Sequence, residues 1–208
     1  MVTFDSTLYF ITDSSLYEED EFLTRVEEGL KGGATLLQLR EKNKSTKDYM
    51  DLANKVHTIT KKYQVPLIID DRVDVALAVD AEGVHVGASD LPVAIARKLM
   101  GPDKIVGATT KTVEAARAAY EAGADYLGVG AIFPTTTKVK TVLTSTDTLR
   151  EICQAVPIPA NAIGGLNKDN LEVLKGIPIG GVCVVSAIMK AENPRLAAEE
   201  LKRKIQSL

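Results

Sequence analysis

Eight short apolar runs, separated by amphipathic segments over 208 residues, predict an α/β fold in which a single (β/α)8 TIM barrel spans residues 1–208. Three observations carry this reading. The runs are apolar on successive residues, as strands covered on both faces must be. Their number suits closure into a barrel better than an open sheet. No linker, low-complexity segment or composition break divides the chain, and at 45% hydrophobic and 25% charged residues it can build one sizeable core.

In chain order the strand candidates are "LYFIT" (8–12), "TLLQLR" (35–40), "PLIID" (66–70), "GVHVG" (83–87), "IVGAT" (105–109), "YLGVG" (126–130), "IPANAIG" (158–164) and "GVCVVSA" (181–187). Between them, stretches such as "DEFLTRVEEGLKGG" and "KTVEAARAAYEAGA" place apolar residues three and four apart, the period of a helix with one buried face. The last helix opens in "NPRLAAEELKRKIQSL", where Asn193 is placed to cap and Pro194 to fill the first turn.

Composition narrows the function. A net charge of -3 offers no general attraction to nucleic acid or anionic lipid, so any cationic site is local. No apolar run approaches the roughly 20 residues of a membrane span. The opening "MVTFDSTLYF" has no basic segment ahead of an apolar one, so no secretory signal is expected. Cys153 and Cys183 stand apart from each other and from histidine, and so read as reduced thiols of a cytoplasmic protein rather than zinc ligands.

In such a barrel the residues just after each strand converge on one face. Here they are Arg40, Glu41 and Lys42; Asp70 and Asp71; Asp90; Thr109; Thr135, Thr136, Thr137 and Lys138; Gly164 and Gly165; and Ser186. Cations, acids, hydroxyls and glycines together suit phosphate and a hard metal. Asp71 and Asp90, on adjacent strand ends, could share one Mg²⁺, which takes one or two carboxylates and fills its other positions with water and phosphate. The same acids could instead cap the helices that begin at "RVDVALAV" and "LPVAIARKLM". Strand alternation sends Gln38, Arg40 and Lys42 to one side, where the two cations need an anionic partner: a phosphate, or a local pair with Asp71 or Glu41.

"GAIFPTTTK" reads either as a solvated loop or as a clip of hydroxyls ending in a cation. "AIGGLNKDN" and "VVSAI" follow strands seven and eight, the usual phosphate position of such barrels. His57 and His85 read as structural. No serine or cysteine stands in a nucleophile's context, so covalent catalysis is not expected. The site thus predicts two anionic pockets, and transfer of an electrophilic group from a diphosphate to a phosphorylated acceptor.

Taken in order, "QLREK", "DDRVDVALAVDAEGVHVG", "GATTKT", "DYLGVGAIFPTTTK", "AIGG" and "VVSAI" closely resemble the thiamine-phosphate synthase family over nearly the whole chain. The resemblance implies condensation of hydroxymethylpyrimidine diphosphate with a thiazole phosphate, carboxylated or plain, with release of diphosphate. It implies that Gln38, Leu39, Arg40, Glu41, Lys42, Asp70, Thr109 and Lys138 hold the pyrimidine diphosphate, with Arg40, Lys42 and Lys138 on its phosphates. By the same resemblance Thr135, Thr136, Thr137, Gly165, Val185 and Ser186 hold the thiazole phosphate, and Asp71 and Asp90 bind one Mg²⁺ per subunit. The partners implied are these small molecules, with neither nucleic acid nor membrane; a homo-oligomer is left open.

Asp70 stands where the family usually has asparagine, Ala88 where it has glutamine, and Asn161 within a run that is normally apolar. "VKTVLTSTDT" is unlike the family's glycine-rich loop. These departures bear on rate and affinity more than on reaction class. Two other readings stay beside the synthase. A thiazole tautomerase of similar fold carries a histidine where this chain has Ala131 and lacks the paired acids. A non-catalytic phosphate-binding barrel would be a diverged duplicate. A sugar-phosphate epimerase would need metal histidines that have no counterpart here.

Overall fold

The computed structural model describes residues 3–135 and 142–208. The eight apolar runs become β1 (Leu8–Ile11), β2 (Leu36–Leu39), β3 (Leu67–Asp70), β4 (Gly83–Val86), β5 (Ile105–Thr110), β6 (Tyr126–Gly130), β7 (Ala160–Ile163) and β8 (Gly181–Val184). Each pairs in parallel with the next, and β8 returns to β1, so the sheet closes in sequence order. Around it lie α1 (Glu19–Lys31), α2 (Thr46–Lys62), α3 (Val73–Ala78), α4 (Val93–Met100), α5 (Val113–Glu121), α6 (Thr146–Ala155), α7 (Ser186–Met189) and α8 (Pro194–Ile205).

Local chemistry starts several helices as expected. Ser45, Thr112 and Ser145 accept from the backbone N–H groups of Asp48, Ala115 and Thr148 at α2, α5 and α6. Asn193 Oδ1 accepts from Leu196 N at 3.1 Å, with Pro194 in the first turn of α8. Two expectations need correction. The seventh unit has only a 3₁₀ turn, Leu171–Leu174, where the repeat calls for an α-helix. The run 181–187 is strand only to Val184, because Val185 (φ -114°, ψ -81°) turns the chain into α7.

Two apolar layers follow from the pleat. Side chains such as Leu37, Leu39, Leu67, Ile69 and Val84 face outward into the layer between sheet and helices. Their neighbours Tyr9, Ile11, Leu36, Ile68, Ile105, Tyr126 and Cys183 fill the barrel itself. Asn161, the interruption in the seventh run, is fully buried rather than solvated. Its Oδ1 accepts from Ser6 Oγ at 2.9 Å, and its Nδ2 has no partner. Among the described residues no helix is long and apolar enough to cross a membrane.

Gly107 shows how tightly the interior is filled. A Cβ there would lie 2.1 Å from Tyr126 Cζ, inside the ring of the neighbouring strand. Gly107→Ala must displace that ring or the backbone, so it should cost about 1–3 kcal/mol. Thermal unfolding of the variant should show a lower Tm, and an unchanged Tm would mean that the ring has room to move.

Candidate active site

The C-terminal ends of β2, β3 and β4 bring together the first group of expected residues. Arg40 Nε lies 3.8 Å from Asp70 Oδ2, and Lys42 Nζ lies 2.7 Å from the same oxygen while also pairing with Asp71. Asp70 Oδ2 nevertheless has no hydrogen bond of acceptable angle, so its contact with Lys42 is chiefly Coulombic. The acids do not cap the following helices. α3 and α4 begin at Arg72 and Pro92 with no capping side chain. Asp90 Oδ2 instead accepts from Gly87 N at 2.9 Å, which turns its carboxyl toward Asp71.

Asp71 adopts φ 61°, a left-handed backbone that few residues other than glycine, asparagine and aspartate accept. It is held there by Asp71 N–H to His85 O at 2.8 Å and Arg72 N–H to Asp70 O at 2.7 Å. This turn, at the end of β3, swings the Asp71 carboxylate to Lys42 on one side and Asp90 on the other. Burial raises the Asp90 carboxyl above the usual range, and the neighbouring Asp71 carboxyl raises it further. Burial likewise raises Asp70, against the opposing pull of Lys42 and Arg40. Lys42 is drawn down by burial, but the Asp70 and Asp71 carboxylates more than offset this and leave it above the usual lysine range.

Two like-charged carboxylates turned toward each other, one resisting ionisation, form a donor set that a hard cation would relieve. Among the described residues no group of three or more His, Cys, Asp and Glu side chains gathers as a metal cluster. Any ion here would therefore take two carboxylates and complete its shell with water and phosphate. The donors fit Mg²⁺ in kind.

Other expected contacts divide. Gln38 points into the barrel, 3% exposed, and donates from Nε2 to Tyr9 OH at 2.8 Å. Leu39 turns outward into the helix layer, and its carbonyl accepts from Tyr49 OH at 2.7 Å, so its side chain is directed away from the mouth. Glu41 pairs with neither cation; its Oε2 accepts from Ser14 Oγ at 2.8 Å, its Oε1 has no partner, and burial raises its carboxyl. Thr109, on β5, bonds His85 Nε2 at 2.8 Å. His85 is thus joined to the candidate site, a link that its position in mid-strand did not disclose.

On the far side of the mouth, Gly165 (φ 64°) allows the loop after β7 to meet the loop after β6. A Cβ there would stand 2.7 Å from both Phe133 Cβ and Pro134 O. Phe133 N–H donates to Gly164 O at 3.0 Å and completes the contact. Thr135 follows directly, whereas Thr136, Thr137 and Lys138 lie outside the described residues. Val185 and Ser186, at the start of α7, border a cavity of about 260 Å³ shared with Asp13, Ser15 and Tyr17 of the loop after β1.

A closed parallel barrel with an acidic pair, flanking cations and a second pocket at strand eight makes this a (β/α)8 barrel with a charged mouth. The family model described as thiamine monophosphate synthase matches residues 8–188. A thiamine-phosphate synthase 2 of Streptococcus pneumoniae is 50% identical over 97% of this chain and 96% of its own. A thiamine-phosphate synthase of Clostridium tetani is 50% identical over 95% and 94%. A solved thiamine phosphate pyrophosphorylase of Pyrococcus furiosus superposes with a TM-score of 0.89 at 40% identity, covering 97% of this chain and 96% of that one. The chain belongs to the thiamine monophosphate synthase family, whose members are alkyl-transferring enzymes.

Asp70 offers a direct test of the charge balance. Its surroundings favour the neutral carboxyl, so its ionisation costs stability as pH rises through its raised folded range. Asp70→Asn keeps the shape, removes the buried charge and leaves Asp71 to pair with Lys42. Calorimetry of the ligand-free variant at neutral pH should show a higher Tm than the parent. The gain should vanish in acid, where the parent's Asp70 is protonated; a lower Tm at neutral pH would show that the ion pair outweighs the burial.

Proposed function

We propose that the site condenses 4-amino-2-methyl-5-hydroxymethylpyrimidine diphosphate with a thiazole phosphate, carboxylated or plain, to give thiamine phosphate and diphosphate. In this reading the bond between the pyrimidine methylene carbon and the diphosphate oxygen breaks with its electron pair leaving on the diphosphate. The thiazole nitrogen then donates its lone pair to the methylene carbon and forms the new C–N bond. Such chemistry asks the protein for leaving-group stabilisation, orientation and exclusion of water. It needs no nucleophilic side chain.

The observation that carries the reading is the charge set at the ends of β2, β3 and β4. Asp70, Asp71 and Asp90 meet only Arg40 and Lys42 there, so with every group ionised the described rim is net negative. The described residues alone would repel a diphosphate, so further positive charge, from Lys138 and a bound cation, must join the site. Asp71 and Asp90 are the residues that would hold Mg²⁺, one ion per subunit, and the bound ion would compensate charge on the departing diphosphate. Arg40 offers its guanidinium fork, and Lys42, released from Asp70 and Asp71, its point charge. Lys138 is assigned to the same diphosphate. Thr135, Thr136, Thr137, Gly165, Val185 and Ser186 are assigned to the thiazole phosphate, beside the cavity at α7. Two phosphorylated substrates that do not cross membranes unaided favour a cytoplasmic location.

The test is diphosphate release from purified protein. Release should require both substrates and Mg²⁺ and should stop with chelator; no release with all three present would sink the proposal. Asp71→Asn tolerates the left-handed backbone and should lower kcat/KM by about 10²–10³-fold. It should also raise the Mg²⁺ concentration for half-maximal rate, with Tm little changed.

A further inference from the structure

A continuous line of hydrogen bonds crosses the barrel beneath the mouth, and the reaction above gives its middle members no task. Gln38 Nε2 donates to Tyr9 OH at 2.8 Å, and Tyr9 OH meets Tyr126 OH at 2.6 Å. Tyr126 OH meets His85 Nδ1 at 3.0 Å, and His85 Nε2 meets Thr109 Oγ1 at 2.8 Å. The residues come from β2, β1, β6, β4 and β5, so five strands contribute one line. Tyr9, Tyr126 and His85 are buried, at 1%, 0% and 8% exposure. Burial holds both phenols far above the usual tyrosine range, so each keeps its proton.

A phenol has one hydrogen, and that fixes the direction of the line. Tyr9 receives a hydrogen from Gln38, so its own goes to Tyr126. Tyr126, having received one, gives its own to His85 Nδ1. Nδ1 is then an acceptor, which leaves the ring hydrogen on Nε2 to be given to Thr109. Thr109 Oγ1, having received it, keeps its own hydroxyl hydrogen for the mouth. At the other end, Gln38 has committed an amide hydrogen inward and has Oε1 as its acceptor. The Thr109 end thus offers a hydroxyl hydrogen, and the Gln38 end offers Oε1 beside one remaining amide hydrogen, an arrangement that meets an amine beside a ring nitrogen.

We propose that Tyr9, Tyr126 and His85 are positioning residues that lock Gln38 as an acceptor and Thr109 as a donor, and so select an aminopyrimidine over its oxo analogue. The proposal rests on the assignment of Gln38 and Thr109 to the pyrimidine. The oxo analogue presents a ring N–H beside a carbonyl, the reverse pattern. To bond it at both places, Gln38 would have to turn its remaining amide hydrogen to the carbonyl, which strains its bond to Tyr9, and Thr109 would have to turn its hydroxyl hydrogen away from the ring N–H. Buried groups that would otherwise be left unpaired make those turns costly. No proton is transferred to or from substrate in this role.

Histidine tautomers are read from ¹⁵N shifts and two-bond ¹H–¹⁵N correlations on ¹⁵N-histidine-labelled, ligand-free protein; the chain has only 2 histidines. Wild type should show His85 with its hydrogen on Nε2. Tyr126→Phe, folded by circular dichroism and melting, should show mixed tautomers. With Mg²⁺ present, the Kd of the aminopyrimidine diphosphate should rise by about three- to tenfold, the scale of one hydrogen bond. Preference over the oxo analogue should fall by a similar factor, while KM for the thiazole phosphate stays unchanged. Should Tyr126→Phe fail to fold, Tyr9→Phe breaks the line one member earlier and should weaken the same preference. His85 with its hydrogen on Nδ1 in wild type, or a folded Tyr126→Phe or Tyr9→Phe with undiminished preference, would overturn the proposal. The tautomer is read without substrate, so wild-type protein that releases no diphosphate refutes the synthase reading separately.

Discussion

The interior of a closed eight-stranded barrel must be filled by the inward side chains of strands only a few residues long, and this chain meets that constraint with two tyrosines. Tyr126 is the centre of the arrangement. Phe4 and Tyr9 approach its ring edge-on at centroid distances of 5.6 Å, and His85 lies tilted at 5.5 Å. Rings of this size leave no space for a side chain at the positions directly against them. The neighbouring inward positions are accordingly glycine: Gly107 on β5, and Gly128 on β6, where a Cβ would stand 3.3 Å from His85 Cε1. Large rings at some inward positions and glycine at the positions against them amount to one packing solution.

Filling the barrel with phenols brings polar atoms into a space that water does not reach, and each must find a partner there. The two hydroxyls meet each other, then Gln38 on one side and His85 on the other. Satisfaction of the interior thereby reaches the mouth at Thr109. Packing and hydrogen bonding are links of one chain of causes here, and the proposed recognition of the pyrimidine would be the next. The carboxylates stand directly above this dry layer. Asp70 is 6% exposed, which explains why its charge is resisted even with Lys42 beside it.

The strands were legible because burial on both faces writes a plain apolar run, and seven fall within two residues of where the pattern puts them, the eighth ending three residues early at Val184. That same feature hides which alternate residues face inward, so Tyr9 and Tyr126 looked like ordinary strand aromatics. Their partnership joins residues 117 positions apart, and no local spacing encodes it. Asp71 and Asp90 were legible as strand-end acids, yet capping and metal binding share one sequence signature. Backbone geometry rules out capping: Asp71 is left-handed and Asp90 is taken by Gly87 N–H, so neither reaches a helix start. The missing seventh helix had a weak trace, since Gly176 and Pro178 crowd the short segment before β8. The part of the "PTTTK" clip from Thr136 onward falls outside the described residues.

In the proposed reading the site divides its labour by depth. Charged groups stand at the rim, where a diphosphate and its counter-ion can shed water in stages and where Lys42 can exchange one anionic partner for another. Neutral groups lie below, where a charge would be expensive but a hydrogen bond between fixed partners is at its most selective. A heterocycle with a diphosphate tail needs both environments within the length of one molecule. A closed barrel supplies them in that order, because its strand ends are wet and its interior is dry. In the proposed reading an acid just after β3 serves the leaving group, while Gln38, an inward residue near the end of β2 (Leu36–Leu39), serves the ring. Parity along a strand places recognition and charge stabilisation on the same side, one layer apart.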